Sequence, residues 1–233
     1  MIEMHDVSKV FRTDSVETHA LRGLSLKVEP GEFVAIMGHS GSGKTTFLNV
    51  AGLLEEFEGG RYTLDGQDVS RLNDNDRSRI RNEKIGFIFQ GFNLIPDLNL
   101  YYNVEAPLHY RRMPGADRHQ RVTAALDRVG LSTRMKHIPS QLSGGQQQRA
   151  AIARAISGNP RIILADEPTG NLDTTMSNQI MELLQEINAA GTTILMVTHN
   201  PELAQRAHRQ LHILDGQIDE IHHFELPKAA HTA

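Results

Sequence analysis

The sequence predicts an α/β protein with a mainly parallel sheet, on three observations. Three short apolar runs rich in β-branched residues, Phe33–Met37, 161–165 and Thr193–Val197, have the length of buried strands. Segments with helical apolar spacing lie among them, the alternation expected of a parallel sheet covered by helices. Each run also ends in polar chemistry: a Gly-rich turn, an Asp-Glu pair and a Thr-His pair. Ligands of open α/β sheets sit beyond the carboxyl ends of the strands, so these three endings should converge on one crevice.

The composition permits this fold and excludes several function classes. A chain of 233 residues, 39% hydrophobic and 22% charged, can bury a core without disulfides and is neither fibrous nor disordered. The net charge of -4 lacks the basic excess of a nucleic-acid binder. The chain has no Cys, which removes disulfides, thiolate zinc sites and Cys nucleophiles and suits a reducing compartment. No apolar run approaches the ~18 residues that span a bilayer. The early charges Glu3, Asp6 and Lys9 do not read as a secretion signal, so a cytoplasmic protein is expected.

The elements follow in order. Strand Phe33–Met37 leads through Gly38-His39-Ser40-Gly41-Ser42-Gly43-Lys44-Thr45 into a helix-forming stretch with Phe47, Leu48 and Val50. This is the phosphate-binding loop pattern. Its glycines let successive backbone amides point inward, and the helix N-terminus adds positive dipole for a polyphosphate. Lys44 should reach the β- and γ-phosphates, and Thr45 offers a hydroxyl to Mg²⁺. Residues 72–81 read as a solvated connector or helix, with a nucleic-acid arm as the lesser reading. From Gly91 to Pro160 the pattern turns helical, as for an inserted helical subdomain. Val122, Ala125, Leu126 and Val129 form one helical stripe and Ile180, Leu183, Leu184 and Ile187 another. Gly130 and Gly191 follow as C-caps. The division expected is a core of residues 1–90 and 160–222, a helical subdomain 91–159, and a small polar tail fraying from about His222 or His223.

Asp166-Glu167 closes the second run, and neighbouring strand residues point to opposite faces, so the two carboxylates can take different tasks. Asp166 would hold Mg²⁺, mostly through water, and Glu167 would deprotonate an attacking water. Leu142-Ser143-Gly144-Gly145-Gln146 opens a further helix and makes a second anion-binding turn.

The Lys44 loop, this pentapeptide and the Asp166-Glu167 pair, in that order, resemble the nucleotide-binding subunits of ATP-binding-cassette transporters over essentially the whole chain. The resemblance implies a P-loop NTPase core with an N-terminal antiparallel β part and the inserted helical subdomain. It implies a head-to-tail dimer in which the loop of one copy (Gly38 to Thr46, including Thr46) and Ser143, Gly144, Gly145 and Gln146 of the other enclose ATP. It further implies Gln90 as a ligand of Mg²⁺ and water, His199 as the switch histidine touching the γ-phosphate, Asp173 as a contact between copies, and Phe11 as the aromatic stacked on adenine.

Two longer strings, Lys84 to Pro96 and Ala165 to Asp173, resemble the macrolide-export and lipoprotein-release branch. Members work beside separate membrane permeases, so a peripheral place on the cytoplasmic membrane face is implied, with a dock between Gln90 and about Tyr110. His39 stands where the branch usually has Pro, and the stretch Leu98 to Val104 deviates from the usual pattern. A soluble ABC ATPase of repair or translation is the alternative; a single cassette and acidic net charge argue against it. A kinase or GTPase would not explain Ser143-Gly144-Gly145. His208 and His212, four apart, lack an acidic or Cys partner to complete a zinc site.

Overall fold

A computed structural model describes residues 1–13 and 15–223. The chain runs β1 (Ile2–Arg12), β2 (Glu17–Val28), β3 (Phe33–Met37), α1 (Lys44–Ala51), β4 (Gly59–Leu64), β5 (Gln67–Asp68), α2 (Asp74–Lys84) and β6 (Ile85–Ile88). It continues through α3 (Leu100–His109), α4 (Gly115–Arg128), α5 (Gly144–Ile156), β7 (Ile162–Asp166), α6 (Thr174–Ala189), β8 (Thr193–Val197), α7 (Pro201–Ala204), β9 (Arg209–Leu214) and β10 (Gln217–His223).

Two sheets result. One is antiparallel with order β2-β1-β4-β5, and the other has order β10-β9-β3-β8-β7-β6. In the second, β9, β3, β8, β7 and β6 pair in parallel and β10 closes the edge antiparallel. This is the mainly parallel sheet with an antiparallel N-terminal part that the sequence led us to expect.

The unbroken apolar runs are explained by burial on both faces. Along β3, Val34 and Ile36 point to a core shared with the antiparallel sheet and α1, including Met4, Leu21, Tyr62 and Phe47. Phe33, Ala35 and Met37 point the other way, to a core built with α3 to α6. Each fully buried Leu, Ile or Phe in these layers contributes about 1.5–3 kcal/mol.

The carboxyl ends of the parallel strands are level: Ile36 pairs with Val197, and Val197 with Asp166. That alignment gathers the chemistry at one edge. The segment between β6 and β7 carries α3, α4 and α5. Arg111 ties it to α2, donating through Nε to Asn82 Oδ1 at 3.0 Å, and closes the segment on itself through Nη1 to the Gly158 carbonyl at 2.5 Å. Gly86 lets α5 approach the sheet, since a Cβ there would lie 2.6 Å from the Ala155 carbonyl.

Several boundaries shift from expectation. The second run forms β7 one residue later, because Asp166 still pairs across to Val197. Residues 72–81 mostly join α2, whose N-cap Asn73 accepts from the Asp76 amide. Gly130 and Gly191 do follow α4 and α6 in left-handed conformations, φ +71° and +101°. The tail does not fray from His222: His222 and His223 pair with Gln210 and Arg209 in β10, and residues 224–233 lie outside the described ones. His208 Nδ1 accepts the Phe33 amide at 2.9 Å, which gives it a structural task. Among the described residues no helix is long and apolar enough to cross a membrane.

Gly86→Ala should overpack the α5–sheet interface and cost about 1–3 kcal/mol. Urea unfolding of the variant beside the parent measures it.

Candidate active site

The turn after β3 is closed so tightly that only glycine fits at its ends. Gly38 has φ +150° and Gly43 φ +105°. A Cβ on Gly38 would overlap the Ile213 carbonyl and lie 2.6 Å from Ser42 Oγ; one on Gly43 would lie 2.6 Å from the Ala20 carbonyl. Lys44 Nζ donates to the carbonyls of Gly38 and His39, 2.8 Å each. Both acceptors are neutral, and among the described residues Lys44 forms no ion pair. Helix α1 begins at Lys44 with no side-chain cap and no acidic residue in its first turn. Its leading amides and dipole are therefore available to an anion. His39 Nδ1 lies 2.8 Å from the Ser40 carbonyl, and His39, Ser40, Gly41 and Thr45 are exposed at the rim while Thr46 is half-buried.

At the end of β7 the pair Asp166-Glu167 separates, though not by strand pleating. The strand stops at Asp166 and Glu167 adopts φ +47°, so a left-handed turn and not the strand's alternation redirects the second carboxylate. The Glu167 amide donates to the Val197 carbonyl at 3.0 Å, pinning this turn to β8. Glu167 Oε2 meets His199 Nδ1 at 2.7 Å; the glutamate side chain is 16% exposed and the histidine 72%. With the carboxylate accepting, the bond puts the imidazole proton on Nδ1, and among the described residues neither Nε2 nor the second glutamate oxygen has a hydrogen-bond partner. Burial, with Glu167 beside it, raises the Asp166 pKa above the ordinary carboxylate value, while Lys44 pulls it down.

Gln90 follows β6. Its carbonyl accepts from Asn171 Nδ2 at 2.9 Å, and its side chain lies against Gly170, where a Cβ would sit 2.7 Å from Nε2. Asp173 caps α6, its Oδ1 accepting from the Met176 amide at 2.9 Å. Thus Lys44, Asp166, Glu167 and His199 lie together at the ends of β3, β7 and β8, and Gln90 joins the Gly170-Asn171 turn.

Ser143 to Gln146 belong elsewhere. Ser143 caps α5 in a reciprocal box with Gln146, its Oγ accepting at 3.3 Å and its amide donating to Oε1 at 3.1 Å, so its O–H proton remains to be donated. The neighbours of Gly144 and Gly145 are Leu172, Phe92 and Met176, none of them shared with the Lys44 loop. Phe11 also stands apart, on the antiparallel sheet, 42% exposed, with Lys9 Nζ 5.0 Å from its ring centroid.

Two residues escape a motif-based reading. Gln148 joins α5 to the Pro168 carbonyl at 2.6 Å, and Arg154 donates to the carbonyls of Phe92 and Asn93. Nothing in the sequence specified these distant carbonyls as their partners.

For Mg²⁺, the donor set fits: the Thr45 hydroxyl, the half-buried Asp166 carboxylate and the Gln90 amide are hard-oxygen donors beside a polyphosphate cradle.

A family model described as ABC transporter matches residues 21–170. The macrolide export ATP-binding/permease protein of Syntrophobacter fumaroxidans is 48% identical over 222 residues, covering 94% of this chain and 31% of that protein. The chain thus spans about a third of the length of such relatives. An uncharacterised ABC transporter ATP-binding protein of Bacillus subtilis is 46% identical over 94% of this chain and 95% of its own length. A dimeric ATP-binding cassette in a post-hydrolysis state bound to ADP and Pi superposes with a TM-score of 0.89 at 40% identity, covering 97% of this chain and 99% of that one.

Asp166 carries a testable sign. Its native pKa exceeds its unfolded value, so the native state loses relative stability as pH rises through the interval between them. Asp166→Asn should therefore raise the Tm of nucleotide-free protein at neutral pH, and the gain should shrink away as the pH falls to the ordinary carboxylate range, about pH 4. Differential scanning calorimetry across that range checks it.

Proposed function

The chain belongs to the ABC transporter family, and on that premise we propose that it is an ATP-hydrolysing subunit powering a membrane transporter through an ATP-gated, head-to-tail dimer. One observation carries the reading: an ammonium without an ion-pair partner among the described residues, an uncapped helix N-terminus, two carboxylates and a histidine meet at the level ends of adjacent strands.

The steps follow from the side chains. The loop amides from Gly38 to Thr46 and the Lys44 ammonium bind the phosphates of ATP, and Phe11 offers a ring face to the adenine. When bound, Mg²⁺ supplies neutralisation of charge on the phosphate oxygens, and Thr45, Asp166 and Gln90 would hold it. Glu167 takes a proton from the attacking water with the oxygen left free by His199, and His199 fixes the carboxylate's aim. Ser143 of a second copy donates its hydroxyl to the γ-phosphate, with Gly144, Gly145 and Gln146 presenting the start of α5, and Asp173 lies where the copies would meet. Loss of the γ-phosphate removes what Ser143 holds, so hydrolysis loosens the pair.

The permease is a separate chain in this reading, and the protein sits peripherally on the cytoplasmic face of the membrane without a nucleic-acid partner. A groove of about 1120 Å³ between α2, β6 and the helical segment suits the dock. Phe87, Phe89 and Pro107 supply apolar wall, and Tyr110, 82% exposed, stands at its mouth. Relatives named as macrolide exporters support an export role of that branch.

Glu167→Gln tests the proposal. ATP affinity should stay within a few-fold of the parent, while turnover falls by about 10²–10⁴-fold, the range of a lost general base. Phosphate release and equilibrium nucleotide binding report the two quantities; parental turnover in the variant would remove Glu167 from the base role.

A further inference from the structure

We propose that Gln148 is a positioning residue that couples the two half-sites of one chain, transmitting the seating of Ser143 on the partner copy's nucleotide to the chain's own Glu167. This rests on the dimer reading above and extends it.

Gln148 lies on α5 little more than one helical turn beyond Ser143. Its side chain is 0% exposed, and Nε2 donates to the Pro168 carbonyl at 2.6 Å. Its Oε1 is buried without a hydrogen-bond partner among the described residues. A half-satisfied buried amide lowers stability relative to an apolar side chain of similar volume. Met or Leu would serve the core better, so packing alone does not explain glutamine here.

The bond's destination supplies the reason. Pro168 directly follows Glu167, whose φ of +47° must be imposed by its surroundings. Three ties impose it. The Glu167 amide is held by the Val197 carbonyl on β8, the Glu167 carbonyl accepts from the Gly170 amide at 3.0 Å, and the Pro168 carbonyl is held by Gln148. The first two belong to the chain's own site. The third runs to the helix whose N-terminus serves the other nucleotide.

The start of α5 is itself tightly seated: a Cβ on Gly145 would lie 2.6 Å from Met176 Sδ on α6. A shift of α5 on engaging the partner's phosphate is therefore passed along its length, and Gln148 delivers it to the peptide beside Glu167. Each pocket's base is thereby aimed only when its chain is also docked on the other nucleotide, which makes the two hydrolyses interdependent.

The test is Gln148→Met in the full chain, with ATP titrations, thermal melts and sedimentation. Expected is a kcat lowered about tenfold with KM within about twofold, and a Hill coefficient for ATP falling toward one. The Tm should be unchanged or raised. The double variant Glu167→Gln, Gln148→Met should still dimerise with ATP. Dimerisation with a kcat within about twofold of the parent overturns this proposal alone. So does a rate loss that, in Gln148→Met and Gln148→Leu alike, only follows a loss of folded protein. A Glu167→Gln chain that remains single in saturating ATP overturns the dimer reading and the coupling with it.

Discussion

The structure turns on a positive charge that, among the described residues, has no carboxylate ion-pair partner. Within those residues Lys44 hydrogen-bonds only to carbonyls of its own loop, and α1 begins beneath it uncapped. Holding such a charge in place requires a turn with no room for side chains, which Gly38 and Gly43 provide against β9 and β2. It also requires a rigid strand behind the turn, and β3 is buried on both faces. The neighbouring strands then deliver their own ends to the same edge, so the carboxylates of Asp166 and Glu167 face a cationic site they do not neutralise by direct pairing. In the proposed function a triphosphate with its metal would supply that compensation.

Helix α5 gives this arrangement its second half. Its N-terminus, capped by Ser143, packs against Leu172, Phe92 and Met176 and shares no such neighbour with the Lys44 loop, while its body is bonded to the turns after β6 and β7. Gln148 reaches the residue after Glu167, and Arg154 holds the turn after Gln90 by the Phe92 and Asn93 carbonyls. Both Phe92 and Asn93 have positive φ, at +60° and +49°, so this turn too is shaped by its ties and not by glycine. A helix bonded to the surroundings of one pocket while its N-terminus faces a second copy would be the mechanical basis for the proposed coupling.

Much of this was legible beforehand, and the reasons differ by residue. Strand runs such as Phe33–Met37 announced themselves because burial on both faces leaves no polar position. The helix ends at Gly130 and Gly191 were legible because a left-handed cap costs little only for glycine. The Asp166-Glu167 pair was visible, yet the way its carboxylates part was not: the turn at Glu167 is imposed by hydrogen bonds from β8 and Gly170, which leave no local signature. The Glu167–His199 pairing joins residues 32 positions apart and needs the level strand ends to exist. Gln148 and Arg154 were invisible for the same reason, since their partners are carbonyls on remote turns. The tail boundary was placed too early because the histidines of β10 lack apolar spacing, although they pair with β9.

The central claim is that each nucleotide pocket is assembled from the Lys44 loop of one copy and the Ser143 turn of another. The absence of native Cys makes a direct measurement possible. Two single-cysteine chains, His39→Cys and Gln141→Cys, both carrying Glu167→Gln, are treated with a short bis-maleimide. The account predicts a covalent dimer only when the two are mixed and ATP is present, with little in ADP. Equal cross-linking within either variant alone, or none in the ATP-loaded mixture, would contradict it.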